Sequence, residues 1–297
     1  MEIIGRRLRM SSVARKLRRE ESKTIGLVPT MGALHEGHLS LIREARRMSD
    51  VVIVSIFVNP AQFAPGEDFG RYPRDLTKDT AVLTDYNVDY IYAPSVEEIY
   101  PKGFSSYVNV EGLSEKFEGV SRPGHFRGVA TIVNILLNTI HPDFAFFGQK
   151  DAQQAVIVKR LVRDLSFNTE IVVLPIVREE SGLALSSRNA YLNEEEREAA
   201  DVIRRALKRA KAASTAGEHV AKHLIEIVEA GIDAEPLARL DYAAIVDPET
   251  FESIDRIDDR PVLLVIAVFI SKIRLIDNII MQAARMRKGT GELKEMV

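Results

Sequence analysis

Over the first 175 residues, short apolar runs alternate with stretches of helical period, the pattern of parallel strands joined by crossover helices. Strands are predicted at 24–29, 51–58, 88–93, 143–147 and 170–174, and helices at 38–48, 74–86, 127–139 and 152–165. The connecting loops are short, so a doubly wound, Rossmann-like parallel sheet is the simplest topology. The rhythm breaks over 175–187. Beyond it, Asn193 is placed to cap a helix running through Lys208, Gly217 to open a second one ending near Gly231, and apolar strands follow at 240–246, 262–270 and 273–276. The chain is thus expected to be α/β with a second, smaller α+β domain, divided into 1–176 and 177–297, and the charged stretch 287–297 reads as a frayed tail. Near the start, a short helix is predicted from Ser11 or Ser12, with Val13 and Leu17 inward and its arginines solvated.

Composition narrows the chemistry. With 46% hydrophobic and 28% charged residues in 297, there is apolar material for a full core. Forty basic residues against 43 acidic leave a net charge of -3, without the excess needed to replace the counterions of a nucleic-acid backbone. No nucleic-acid partner is expected. Cysteine is absent, which excludes disulfides, thiolate catalysis and cysteine-bound zinc or iron–sulfur clusters. The longest apolar run, 261–270, is half the ~20 residues that span a bilayer, and reads as a buried strand. No membrane association is expected, and with no apolar leader after the first charges the expected compartment is the cytoplasm.

Three segments carry candidate chemistry. The first strand runs through Met31, Gly32, Ala33, Leu34, His35, Glu36, Gly37 and His38 into a helix, which sets two imidazoles beside the amides of a helix N-terminus. That is an anion site, suited to charge building on a phosphorus under in-line attack. The histidines are three apart, not the four of a zinc-binding helix. A second segment, Phe147, Gly148, Gln149, Lys150, Asp151, follows a later strand at the sheet edge where ligands collect, with Gly148 admitting close approach and Lys150 supplying a point charge. The third is Leu185, Ser186, Ser187, Arg188, Asn189 at the break in rhythm, two hydroxyls and a guanidinium able to bracket a polyphosphate. Taken singly, a capping pair and a polar linker account for the last two; together the three have the layout of nucleotidyl-transferring and adenylate-forming enzymes.

Six blocks, VPTMGALHEGHLSLI (28–42), SIFVNPAQF (55–63), YPR (72–74), RPGHFRGV (122–129), FGQKDAQQ (147–154) and SGLALSSRNAYL (181–192), resemble the pantothenate synthetase, or pantoate–β-alanine ligase, family in the right order over nearly the whole chain. The resemblance implies an ATP- and Mg²⁺-dependent ligase that converts pantoate to pantoyl adenylate and lets the amine of β-alanine displace AMP, releasing AMP and pyrophosphate overall. By matching motif it implies that residues 31–38 hold ATP, with His38 catalytic and His35 its companion. Gly148, Gln149, Lys150 and Asp151 would also contact ATP, Val177 would pack near the adenine, and Leu185, Ser186, Ser187 and Arg188 would close over the phosphates. Lys150 and Arg188 would take the part of a loop lysine. Gln62 would bind pantoate and β-alanine, Gln154 pantoate, and Asn59, Tyr72 and Arg122 would contribute at the substrate end. Asp79 is the candidate magnesium ligand, with Lys78 where relatives often have a second acid.

Residues 60–75, rich in Gly and Pro and poor in periodicity, read as a lid keeping water from the acyl adenylate. The apolar runs 51–58 and 262–270, and the resemblance, lead to the expectation of a homodimer. Two other classes compete: another adenylate-forming or nucleotidylyl-transferring enzyme of the same superfamily, and a module that binds ATP without chemistry.

Overall fold

The computed structural model describes residues 1–64 and 66–282, so the expected frayed tail lies outside the described residues. The first layer is a six-stranded sheet of β1 (Glu2–Ile4), β2 (Ile25–Thr30), β3 (Val51–Ile56), β4 (Tyr90–Tyr92), β5 (Phe144–Gly148) and β6 (Glu170–Leu174), in the order β1-β4-β3-β2-β5-β6, with every pair parallel. The inner strands are mostly apolar, with Thr30 and Ser55 near their carboxyl ends, because helices cover both faces. On one face α1 (Arg7–Arg19), α6 (His125–Ile140) and α7 (Ala152–Asp164) pack against Ile25, Leu27, Ile53 and Ala145. On the other, α2 (Glu36–Met48) and α3 (Leu76–Thr84) pack against Val28, Val52, Val54 and Phe146.

Strand order reverses between β2 and β5, and there the sheet forks. β2 and β5 are in register only at Gly26↔Phe144 and Leu27↔Ala145. Beyond that point β2 continues with β3 as far as Thr30↔Ile56, while β5 continues with β6 as far as Gly148↔Leu174. Both carboxyl ends therefore open into a crevice, the ligand position of a doubly wound sheet.

After two short helical turns, α4 (Val96–Ile99) and α5 (Glu118–Ser121), in the first half, the second half adds α8 (Glu194–Thr215), α9 (Ala221–Asp233) and an antiparallel sheet β7 (Ala238–Val246), β8 (Val262–Ile270), β9 (Ile273–Met281). One face of that sheet packs on α8 and α9. Its other face meets the first half, where Ala244, Val246, Leu263 and Val265 pack with Phe126, Ala152, Val156 and Ile157.

The structure revises several expectations. β1 is an added edge strand, too short to stand out by period. α1 begins at Arg7, not near Ser11, because its inward stripe is Met10, Ala14 and Leu17, with Val13 half-buried. The cap on its first turn is tertiary: Arg7 N donates to Glu98 Oε1 of α4 at 2.7 Å. Gly217, in left-handed backbone, follows the end of α8 and does not open α9. β9 runs on through Asp277 and Asn278, where the apolar alternation stops. The apolar runs of β3 and β8 are consumed inside the chain, each lying between two partner strands, so they offer no surface to a second copy. Among the described residues no helix is long and apolar enough to cross a membrane.

Gly128, near the start of α6, lets the helix touch the 3₁₀ turn Pro60–Gln62. A Cβ there would stand 2.2 Å from the carbonyl oxygen of Ala61 and 2.6 Å from the amide nitrogen of Gln62, both backbone atoms that cannot swing aside. Helix propensity gains at most about 1 kcal/mol from Gly128→Ala, whereas overpacking costs about 1–3 kcal/mol, so the clash decides the sign. We expect a drop of several degrees in Tm by calorimetry and weakened use of whatever ligand Gln62 serves; a raised Tm would show that the helix and the turn are not in contact.

Candidate active site

The fork holds a cavity of about 230 Å³. β2 ends in a loop, Met31 to Leu34, whose fold is set by a carboxylate from α3. Asp79, 4% exposed, accepts the amides of Ala33 and Leu34, one on each oxygen, both at 3.0 Å. Both oxygens are turned into the loop they organise. Among the described residues there is no group of three or more His, Asp or Glu side chains able to hold a metal.

The loop delivers two histidines to the start of α2. His35 is the N-cap, and its Nδ1 accepts the amide of Gly37 at 3.2 Å, while the amide of His35 donates to Nδ1 of His38 at 3.4 Å. The amides expected to face an anion are thus partly taken by the rings. The same bonds fix the tautomers, because a ring nitrogen that accepts carries no proton. Both Nε2 atoms are then the protonated ones, with ring centroids 4.1 Å apart. Burial, then the neighbouring His35, pushes the His38 pKa down to about 3, and burial, then Lys150, lowers that of His35. At pH 7 His38 is held neutral, so it acts as a neutral donor.

Across the fork, β5 ends in Gly148, and a 3₁₀ turn of Gln149–Asp151 starts α7. Lys150 and Asp151 wall the cavity, with Nζ and carboxylate 3.5 Å apart. From the segment between β6 and α8 come Val177, Leu185, Ser186, Ser187 and Arg188. Ser186 accepts the amide of Arg188 at 3.3 Å, and the Arg188 guanidinium meets Asp68 at 3.0 and 3.2 Å. Tyr72 stands behind this loop, its hydroxyl 3.2 Å from that of Ser187.

At the other end the wall is apolar, from Pro29, Met31, Phe57, Val129, Ile132 and Val133, and is punctuated by amides. Gln62 is buried; its Oε1 accepts Asn59 Nδ2 at 3.2 Å, and its Nε2 reaches only the thioether of Met31, a weak acceptor. The Gln62 amide therefore keeps donor capacity for a ligand. Asn59 does not, since its side chain also holds Gly128 O, Tyr100 Oη and the amide of Ala61. Gln154 also lines the cavity. Arg122 makes two 2.8 Å bonds to Glu67, and an adjoining cavity of about 430 Å³ shares Arg122, Lys150, Gln154 and Arg188 with the first.

Of the residues picked from sequence, Gly32, Ala33, Leu34, Glu36, Gln149 and Tyr72 do not wall the central cavity. They build the loop, pair with Arg43, or turn toward β9 and the Ser187 loop. One residue was missed. His125 lines the cavity at the start of α6, donates from Nδ1 to Gln62 O at 2.8 Å, and presents Nε2 to Arg122 at 3.2 Å. Its signal was a histidine following Gly124 inside the RPGHFRGV block.

Burial, then Arg122, pushes His125 down to about 4. Two imidazoles thus resist protonation when folded but take protons near pH 6.5 when unfolded, and the unfolded chain binds more protons between about pH 6.5 and 4. The stability they confer is present above about 6.5 and is lost as pH falls. We expect Tm to drop from pH 7 to 4.5, with a shallower drop in His125→Gln; equal slopes in the two proteins would show that His125 is not held neutral.

Comparison with known proteins places the chain in a family. The family model for pantoate-beta-alanine ligase matches residues 2–280. A pantothenate synthetase of Carboxydothermus hydrogenoformans is 54% identical over 265 residues, 89% of this chain and 93% of its own. Among solved structures, the pantothenate synthetase of Thermus thermophilus superposes with a TM-score of 0.88 at 45% identity, covering 94% of this chain and 99% of its own. A pantoate-beta-alanine ligase of Francisella tularensis, complexed with beta-gamma ATP and beta-alanine, gives 0.77 at 36% identity, covering 94% and 97%. With a match over nearly its whole length and this degree of identity, the chain belongs to the pantoate-beta-alanine ligase family.

Proposed function

We propose that this chain condenses pantoate with β-alanine in two half-reactions inside the forked cavity. A carboxylate oxygen of pantoate attacks the α-phosphorus of ATP, the bond from that phosphorus to the bridging oxygen breaks, and pyrophosphate leaves. The amine of β-alanine then attacks the acyl carbon of the adenylate, AMP departs with the bonding pair, and the nitrogen loses a proton. The observation that carries this reading is the mixed lining of the cavity, which joins neutral imidazole donors, Lys150 and Arg188 to apolar walls with Gln62 and Gln154.

Each end has work suited to it. His38 and His35 direct Nε2–H groups at charge growing on the α-phosphate, where a preorganised donor counts most. Lys150, Arg188 and the Ser186 and Ser187 hydroxyls hold the triphosphate, and Val177 sits beside them for the base. Gln62 can donate to one pantoate oxygen and Gln154 can bridge to the reacting carboxylate, while the α6 valines and isoleucine take the branched carbons. Arg122, between the two cavities, keeps one Nη1 hydrogen beyond its bonds to Glu67, Gln62 O and His125, which suits the carboxylate of the incoming amino acid. Mg²⁺ fits as a passenger on the triphosphate, since this ion keeps several waters and needs few protein ligands; when bound it supplies charge neutralisation. No side chain here suits an acyl carrier, there being no cysteine and, among the described residues, no hydroxyl bonded to a histidine, so the adenylate is held without a covalent link. Residues 177–297 are read as the unit that closes over ATP on 1–176.

The test is isotope exchange. Labelled pyrophosphate should enter ATP when pantoate and Mg²⁺ are present and β-alanine is absent, and the full reaction should yield AMP. His38→Ala should slow exchange by about 10²–10³-fold with a much smaller change in ATP affinity. Exchange that waits for β-alanine would sink the stepwise order, and ADP as product would sink the adenylate itself. Homodimerisation belongs to this reading through the family resemblance alone; light scattering at micromolar concentration should give the mass of two chains, and a one-chain mass rejects it.

A further inference from the structure

β9 carries two polar residues where a strand of this kind should be apolar. Asp277 and Asn278 are 3% and 2% exposed, and burying an amide and a carboxylate costs several kcal/mol unless both are fully partnered. Their partners are the loops that line the phosphate end of the cavity. Asn278 Nδ2 donates to the carbonyls of Gln149 at 2.9 Å and Lys150 at 3.1 Å, and its Oδ1 accepts Gln149 Nε2 at 3.0 Å. Asp277 receives the Arg178 guanidinium at 2.7 and 2.9 Å, and the same guanidinium holds the carbonyl of Gly182 at 3.0 Å. Arg178 pairs through its backbone with Ala184, next to Leu185 and two residues before Ser186.

The Lys150 turn has little else to hold it. Gly148 before it makes no side-chain cap, and Lys150 itself reaches only the neighbouring Asp151 at 3.5 Å. We infer that Asn278 is a positioning residue for the first half-reaction: from the second sheet it clamps the peptide on both sides of Lys150, while the adjacent Asp277 anchors the opposing Arg188 loop. The spacing of the two cationic arms is thereby set by neighbouring residues of one strand. An apolar residue at 278 would serve the sheet as well or better, which is what separates this role from simple packing. The inference rests on the reading that Lys150 addresses the triphosphate.

Pyrophosphate exchange in Lys150→Ala, Asn278→Ala, Gln149→Ala and the Lys150→Ala/Asn278→Ala double variant tests it, with Tm measured for each and kinetics run well below the lowest Tm. Losing the two Asn278 donors should change kcat/KM for ATP about tenfold, and losing the single Gln149 bond about two- to tenfold, with the KM for pantoate within about twofold in both. In the Lys150→Ala background, removing Asn278 should add almost nothing, because the group it positions is gone. An Asn278→Ala enzyme with lowered Tm but unchanged exchange, or a full multiplicative loss in the double variant, would overturn the inference. If Asn278→Ala does not fold, unchanged exchange in Gln149→Ala overturns it instead. Exchange untouched by Lys150→Ala is a different failure, which removes the reading of Lys150 and takes this inference with it.

Discussion

Between β2 and β5 the hydrogen-bond ladder stops after Leu27 and Ala145, while the outer ladders of β2 with β3 and β5 with β6 run on to Thr30 and Gly148. A buried backbone group cannot be left unpaired, so two strands can part inside a core only if each keeps another partner. β3 and β6 are those partners. The gap that results cannot be filled from either strand, and what enters it are the segments that follow them, the His35–His38 loop from β2 and the Lys150 turn from β5. Chemistry sits at the fork because the fork is where the sheet stops supplying its own contacts.

The surroundings of the fork make it a dry place for charge. Desolvation keeps His38 and His125 neutral, and each spends one ring nitrogen on a fixed partner, His35 N for one and Gln62 O for the other. That leaves His38 a donor of one direction through Nε2–H, and leaves His125 with Nε2 as an acceptor, which Arg122 takes at 3.2 Å. The guanidiniums are treated differently, because arginine cannot shed its proton. Arg122 is matched to Glu67 and Arg188 to Asp68, adjacent carboxylates on one loop. Lys150 faces only Asp151 across 3.5 Å, the loosest of the three pairs, and so keeps the most capacity for an anion.

Much of this was legible in the sequence, and the parts that were not share a cause. Five of the six parallel strands, the crossover helices and the histidine, lysine and serine–arginine segments all announce themselves locally, through period, capping and motif. β1 and the true start of α1 do not, because one depends on pairing with β4 and the other on Glu98, 91 residues away. Asp79 is a related case: an acid near a phosphate motif suggests a cation, and the sequence does not show that its two oxygens also accept amides that only the folded loop brings near. His125 lay inside a block already noticed, yet its work on Gln62 and Arg122 is tertiary.

The break in β9 is the instructive case. Read as a period, Asp277 and Asn278 end a strand, and the expected element stopped at Ile276. The strand in fact continues through Met281, its ladder to β8 intact at Ile266↔Asp277 and Val265↔Asn278. A polar pair that interrupts an apolar pattern without interrupting the backbone marks a place where the sheet answers to something other than its own packing. Here the demand comes from the first half of the chain. The apolar contact of Val246, Leu263 and Val265 with α6 and α7 holds the two halves together but is indifferent to small slides, since such contacts are non-directional. The bonds of Asn278 to Gln149 and Lys150 are directional, and they fix the register that apolar packing leaves soft, while the Asp277–Arg178 pair ties the Arg188 loop to the same strand within the second half.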